Sequence, residues 1–91
     1  MLQSVSITVE GLVQGVFYRQ STKAKAIELG ITGEIKNKPD GTVHIIATGT
    51  EPQLKKFIQW CNKGPEMAIV TSVKVEHIPL ISFKGFSIVK N

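Results

Sequence analysis

Residues 9–19 read Val9-Glu10-Gly11-Leu12-Val13-Gln14-Gly15-Val16-Phe17-Tyr18-Arg19. Before this stretch, apolar and polar residues alternate over residues 5–9, which predicts a strand with one buried face. After it, a helix is predicted from about Tyr18 to Leu29, with Gly30 as the stop. A strand, a short glycine-bearing loop and a helix start are the parts of many anion-binding sites, because the first turn of a helix has unpaired N–H groups and a partial positive charge.

The loop between this strand and helix therefore predicts a site for a small anion. Gly11 and Gly15 allow backbone angles that bring successive N–H groups together. Arg19 can turn its planar guanidinium towards the same anion. The loop lacks the Gly-Lys-Ser/Thr ending of a Walker loop and the spacing of a dinucleotide-binding Gly-x-Gly-x-x-Gly. A glycine-bearing turn with a solvated Arg19 is the alternative that the geometry alone leaves open.

Strands and helices alternate along the rest of the chain. A Lys-Pro-Asp-Gly turn at residues 38–41 separates two strands and predicts a hairpin. A capping box at residues 50–53 starts a second helix, in which apolar residues recur at i, i+3, i+4 and i+7. We expect this helix to end at Gly64, and strands to cover residues 32–38, 42–48, 68–78 and 83–89, the last one short and at an edge.

The predicted order is βαββαβ with a short terminal strand. Four antiparallel strands with both helices on one face form an α+β fold, the ferredoxin-like two-layer sandwich. Residues 1–91 are expected to form a single domain. In the first helix, Ala24, Ile27 and Phe17 are expected on the apolar side, and Thr22 on the polar side.

Composition narrows the function classes. The 91 residues carry a net charge of +4 and include one cysteine, so no disulfide can form within the chain. No apolar run approaches the roughly 20 residues of a membrane span, and the N-terminus does not read as a signal peptide, so a cytoplasmic protein without a membrane partner is expected. The lysines are scattered, which favours a small anion over nucleic acid as the partner.

Other chemistry-bearing side chains predict no second site. Cys61 lies on the apolar stripe of the second helix and is expected in the core, with Trp60 packing beside it. His44 is expected on the outward face of the third strand, in solvent, and His77 near a strand end. These residues form no recognisable metal site, so no metal and no cofactor are expected.

Two blocks of the sequence resemble the signatures of the acylphosphatase family. The first is residues 11–19; the second is Gly33-Glu34-Ile35-Lys36-Asn37, followed by Asp40-Gly41-Thr42-Val43 and then Gly49. The likeness continues through Trp60, residues 64–65 and residues 68–70, so it covers nearly the whole chain. Glu34 departs from the family, which usually has an aromatic residue there, and Tyr18 replaces the commoner Phe.

The resemblance implies an enzyme that hydrolyses the carboxyl–phosphate bond of acyl phosphates without a metal or a covalent intermediate. By the same resemblance, Arg19 binds the phosphoryl group and Asn37 positions the attacking water. The N–H groups of the loop would hold the phosphate; these residues are Val13, Gln14, Gly15, Val16, Phe17 and Tyr18. Its partners would be a small acyl phosphate and inorganic phosphate, which is both product and inhibitor. A monomer is expected.

The sequence leaves other interpretations open for Asn37, for Glu34 and for the function of the chain. Without the resemblance, the sequence favours Asn37 as a strand-end residue that makes a turn hydrogen bond. Glu34 falls on the strand face opposite residue 37, so it is either a harmless change or, if the strand bulges, a weakening one. The chain could also be a non-catalytic domain that binds phosphate or acyl phosphate. An RNA-binding module is disfavoured, because the outward positions of the first and third strands carry Ser, Thr, Glu, His and Ile, with no Phe, Tyr or Trp for base stacking.

Overall fold

The computed structural model describes residues 1–90 and contains a five-stranded sheet with two helices. The strands are β1 (Leu2–Leu12), β2 (Thr32–Asn37), β3 (Val43–Thr50), β4 (Ile69–Ile78) and β5 (Phe86–Ile88), and the helices are α1 (Tyr18–Leu29) and α2 (Glu51–Lys63). The strand order across the sheet is β4-β1-β3-β2-β5. Neither helix in the described part of the chain combines the length and apolar character that a transmembrane helix requires.

The four predicted antiparallel strands are confirmed, and the short terminal strand adds one parallel pair. The pairs β1–β3, β1–β4 and β2–β3 are antiparallel, whereas β5 runs parallel to β2. The last strand is also shorter than predicted, since it begins at Phe86. Because β4 ends at one edge of the sheet, the chain must cross to the other edge and run back beside β2, which makes this pair parallel.

Both helices cover the same face of the sheet, as predicted. They contact each other, and side chains from both join the buried side chains of β1 and β3 in one core. The alternation in β1 supplies Val5, Ile7 and Val9, all of which are buried. Leu54, Phe57 and Cys61 of α2 pack onto them, so the predicted stripe of this helix is confirmed.

The predicted start signal of α2 and the predicted end signal of α1 are confirmed. At the start of α2, the main-chain N–H of Gln53 donates to the Thr50 hydroxyl. The side-chain Oε1 of Gln53 accepts from the main-chain N–H of Thr50, which completes the predicted capping box. At the end of α1, Gly30 adopts the left-handed conformation, and its N–H donates to the carbonyls of Ala26 and Ile27 in the last turn. These contacts satisfy helix-end groups that have no partner within the helix.

The prediction for the buried side of α1 was wrong. Tyr18, Thr22 and Ala26 face the core, while Phe17 and Ile27 are exposed. The bulky Tyr18 ring fixes which side of the helix is buried. Thr22 is compatible with that side because its hydroxyl donates to the Tyr18 carbonyl at 2.7 Å, so no buried polar group is lost.

Gly11 belongs to the sheet rather than to the anion-binding loop, which corrects the sequence prediction. The strand β1 continues to Leu12, and its register against β4 shifts between Glu10 and Gly11. Gly11 has φ 127°, and a Cβ there would collide with the carbonyl oxygen of Ile69. Glycine is therefore required by the bulge and the close approach of β4.

The face of the sheet opposite the helices is polar and partly covered by the chain that crosses to β5. The hydroxyls of Ser4 and Thr48 lie 2.6 Å apart and are buried, and both bond to the main chain of Ile81. His44 is half-buried there, and its Nε2 lies 2.8 Å from the Ser6 hydroxyl. The predicted outward position of His44 is confirmed, but it is not simply solvated.

Candidate active site

A cavity of about 250 Å³ opens where the β1–α1 loop meets the end of β2. It is lined by Val13, Gly15, Phe17, Tyr18, Arg19, Gln20 and Asn37. Fold topology thus brings together the two segments that carry the sequence signatures, although they are separated along the chain by the whole of α1. All but one of these lining residues come from the loop or the first turn of the helix.

Buried apolar side chains anchor the β1–α1 loop to the core. Val13 and Val16 point into the core, as does Tyr18, while Gly15 is exposed between them. Gly15 has φ 76° and Phe17 has φ 62°, so left-handed residues alternate with others along the loop. Such alternation turns successive N–H groups to the same side, as in the anion-binding arrangement known as a nest.

The main-chain N–H groups of this loop are available to a ligand. Among the hydrogen bonds within residues 1–90, none has its donor in the main chain of residues 14–17. The first helical bond beyond the loop runs from the Ser21 N–H to the Phe17 carbonyl, so the N–H groups in the first turn of α1 add to the set. The helix dipole gives this end a partial positive charge.

Arg19 adds a full positive charge in the first turn of α1. Its side chain lines the cavity and is half-buried. Within the described residues no carboxylate forms an ion pair with it. The guanidinium therefore has donors to offer to an anion held over the loop.

Asn37 is the last residue of β2 and lines the cavity together with the loop residues. It pairs in register with Val43 and lies on the same strand face as the buried Ile35. The register from Gly33 to Asn37 contains no bulge. Glu34 therefore lies on the other face, beside Ile46, as its strand position predicted.

Gln14 joins the loop to the turn that follows Asn37. Its side-chain Nε2 donates to the carbonyl oxygens of Lys38 and Thr42, each at 2.8 Å. Two bonds from one amide hold the β1–α1 loop and the β2–β3 turn at a fixed separation. Nothing in the local sequence distinguishes this role from a solvated Gln, because both acceptors are main-chain atoms more than 20 residues away.

The β2–β3 turn is itself braced. The Thr42 N–H and hydroxyl both donate to one Asp40 carboxylate oxygen, at 3.0 and 2.7 Å. These bonds to the charged form lower the pKa of Asp40. The Gly41 N–H closes the turn on the Lys38 carbonyl, which confirms the predicted hairpin.

Tyr18 ties the loop to the far end of α2. Its buried hydroxyl donates to the Cys61 carbonyl at 2.7 Å. In a continuing helix that carbonyl would accept from the residue four positions later, but this residue is Pro65, which has no N–H. Tyr18 therefore satisfies a carbonyl that the chain cannot satisfy locally, and burial raises the pKa of its hydroxyl.

The other candidates take the structural roles expected of them. Cys61 is fully buried, and burial raises the pKa of its thiol to about 12, so it stays protonated. Trp60 packs against the core and tilts over the Tyr18 ring, 5.7 Å between centroids. His77 is exposed on β4. Within residues 1–90 no three His, Cys, Asp or Glu side chains gather as metal ligands would.

The chain is similar to known proteins over nearly its whole length. The sequence profile of the family described as Acylphosphatase matches residues 5–88. The acylphosphatase of Marinobacter nauticus is 51% identical over 73 residues, which cover 80% of this chain and 79% of that protein. An acylphosphatase structure from Coxiella burnetii has a TM-score of 0.94 at 35% identity, over 97% of this chain and 93% of that one. The acylphosphatase structure from Bacillus subtilis also has a TM-score of 0.94 at 35% identity, over 99% of this chain and 100% of that one.

Proposed function

Because the chain belongs to the acylphosphatase family and has the acylphosphatase activity of that family, we propose that its cavity is the active site. In this proposal the loop of residues 13–18 holds the phosphoryl group, Arg19 binds it, and Asn37 positions the attacking water. The substrate class, acyl phosphates, follows from the family. The observation that carries the proposal is the meeting of N–H donors, Arg19 and Asn37 around one cavity.

The reaction suits so small a set of groups. An acyl phosphate is a mixed anhydride whose leaving group is a carboxylate, so bond cleavage needs no strong general acid. The task left to the protein is to hold the phosphoryl group, offset its charge and orient a water molecule. Convergent N–H groups and a guanidinium meet the first two requirements, because charge-assisted hydrogen bonds are the strong ones.

Asn37 meets the third requirement. Its amide offers both a donor and an acceptor, and Asn37 lines the same cavity as the loop. A water held by that amide would form the new P–O bond while the bond from phosphorus to the acyl oxygen breaks. The carboxylate leaves with the electron pair, and the water proton passes to a phosphoryl oxygen, which gives a carboxylate and inorganic phosphate.

We further propose that the protein works as a single-domain, cytoplasmic monomer without a metal or a cofactor. Every step above is assigned to groups of the chain and the substrate. Nucleic acid is not proposed as a partner, because the outward positions of β1 to β4 carry no Phe, Tyr or Trp on which a base could stack. Hydrolysis is expected to persist after exhaustive chelation.

The site is tested by titrating the protein with inorganic phosphate and following amide shifts by two-dimensional NMR. The largest shifts are expected within residues 13–20, and inhibition of benzoyl phosphate hydrolysis is expected to be competitive and weaker at high salt, because the contact is charge-assisted. Shifts centred on the open sheet face around His44 would contradict the assignment. Loss of activity on chelation, restored by a divalent ion, would contradict the metal-free mechanism.

A further inference from the structure

Phe17 is an exposed aromatic side chain at the rim of the cavity. Its side chain is 77% exposed, although its neighbours Val16 and Tyr18 are buried. Among the described residues it is the one non-glycine residue with positive φ, at φ 62° and ψ 22°. This conformation is costly for a residue with a Cβ, and such strain gathers at ligand sites.

The strain has a geometric consequence for the ring. Because Val16 and Tyr18 both anchor the backbone inward, the left-handed turn at Phe17 places the side chain between them on the outside, where it lines the cavity. Phe17 is the N-cap residue of α1, but its side chain makes no capping hydrogen bond. A phenylalanine at this position therefore does not stabilise the start of the helix by capping it.

The rim leaves room for a substrate group beside this ring. Gly15 also lines the cavity, and the space where its side chain would begin is open. Tyr18 also lines the cavity, but its hydroxyl is committed to Cys61. Val13 also lines the cavity but is buried, so Phe17 is the exposed apolar side chain of the lining.

The charge of the lining limits what that group can be. Among the described residues that line the cavity, Arg19 alone is charged. In the proposed active site Arg19 is used by the phosphoryl group, so no second cation is placed to bind an additional anionic group on the acyl portion. An uncharged apolar acyl group instead gains by covering a ring that is otherwise in water.

We propose that Phe17 is the specificity-determining residue of this enzyme, and that its ring packs on the acyl group and favours acyl phosphates with an aromatic or bulky apolar acyl group over acetyl phosphate. The inference rests on the proposed active site. The Phe17 ring contacts the acyl group, which leaves, whereas the main-chain N–H groups of the loop contact the phosphoryl group. Its side chain therefore changes the ratio of kcat/KM between two acyl groups rather than phosphate affinity.

The test compares benzoyl phosphate with acetyl phosphate in wild type and variants. Phe17→Asn removes the ring and keeps a residue that tolerates the left-handed conformation; Phe17→Gly serves if that variant does not fold. The benzoyl-to-acetyl ratio of kcat/KM is expected to fall roughly twofold to tenfold, the scale of an aromatic contact, mainly through the KM of benzoyl phosphate. Phe17→Tyr is expected to keep the wild-type ratio.

Leu12 supplies a matched control, because it is also exposed and apolar but lies outside the cavity lining. A wild-type ratio in Leu12→Asn supports the role of Phe17, whereas an equal fall there overturns it. An unchanged ratio in Phe17→Asn, with Arg19→Ala inactive, overturns only the role of Phe17. Full activity of Arg19→Ala towards both substrates overturns the proposed active site itself, and the role of Phe17 with it.

Discussion

At the scale of single residues, Arg19 and Asn37 reach the same cavity from different elements and are proposed to do different work. Arg19 is a charged donor in the first turn of α1, and Asn37 is a neutral amide at the end of β2. Arg19 would meet the phosphoryl group before and during the reaction, so it affects binding and turnover together. Asn37 would meet water, so it affects turnover alone.

Arg19→Ala is expected to lower kcat/KM for benzoyl phosphate by about 10²-fold or more, since each hydrogen bond to a charged group contributes roughly 1.5–3 kcal/mol. Inhibition by inorganic phosphate should weaken in the same variant. Arg19→Lys should restore little, because a point charge cannot reproduce the two-pronged guanidinium contact. Initial rates and the phosphate Ki measure these effects, with circular dichroism and thermal melting to verify folding. A fully active Lys variant would contradict the two-pronged contact.

Asn37→Ala is expected to lower kcat by about 10²-fold, the scale for loss of one positioned catalytic donor. The phosphate Ki should change little, because the phosphoryl contacts belong to the loop and Arg19. The same assays on a variant with a wild-type melting curve measure both quantities. Near-normal kcat combined with lost phosphate affinity would instead place Asn37 in the anion site.

At the scale of elements, the contact between Tyr18 and Cys61 couples the start of α1 to the end of α2. Tyr18→Phe leaves the Cys61 carbonyl without its donor and should lower the free energy of unfolding by about 1–3 kcal/mol. The ring itself is preserved, so its packing against Trp60 should persist. Urea unfolding of the two proteins measures the difference.

Pro65 allows a sharper form of this test. Pro65→Ala supplies an N–H four residues after Cys61, so the carbonyl gains a possible partner within its own chain segment. The cost of Tyr18→Phe should then be smaller in the Pro65→Ala background, which a double-mutant cycle would detect as coupling. Equal costs in both backgrounds would show that the new N–H does not replace the Tyr18 hydroxyl as the donor to the Cys61 carbonyl. No cost of Tyr18→Phe in wild type would show that Tyr18 stabilises the protein through its ring.

At the scale of the whole molecule, His44 makes stability depend on pH. Burial on the open sheet face lowers its pKa, and the charges of Lys38 and Lys36 add to this effect, while Glu34 opposes it. The unfolded chain therefore binds a proton more readily than the folded one. The stabilisation is complete above the unfolded pKa of 6.5 and is lost as the pH falls below that value through the lower folded pKa.

The corresponding experiment is urea unfolding of wild type and His44→Gln at pH 7.5 and pH 5. Wild type should lose more stability than the variant between these two conditions. The pKa of Asp40 is also lowered, but its usual value of 3.8 places its contribution at lower pH. An identical loss in both proteins would assign the pH dependence to groups other than His44.

The sequence by itself determined most of the elements and the central candidates for the site. The bounds of α1, the capping box at Thr50 and the hairpin turn at residues 38–41 are all as predicted. Each depends on backbone preferences and hydrogen bonds between residues a few positions apart, so local sequence suffices to specify it. Likewise, the alternation of apolar residues fixed the buried face of β1 and the side of β2 on which Glu34 and Asn37 lie.

Only the tertiary structure decided which side of α1 is buried, that Gly11 serves a bulge, and that β5 is parallel to β2. It also decided that Gln14 and Tyr18 bind main-chain carbonyls of distant segments, and that Phe17 stands exposed at the cavity rim. The physical reason is the same in each case. These features depend on atoms brought together from positions far apart in the chain, and the free energy of a helix side or a glycine is set by what packs against it.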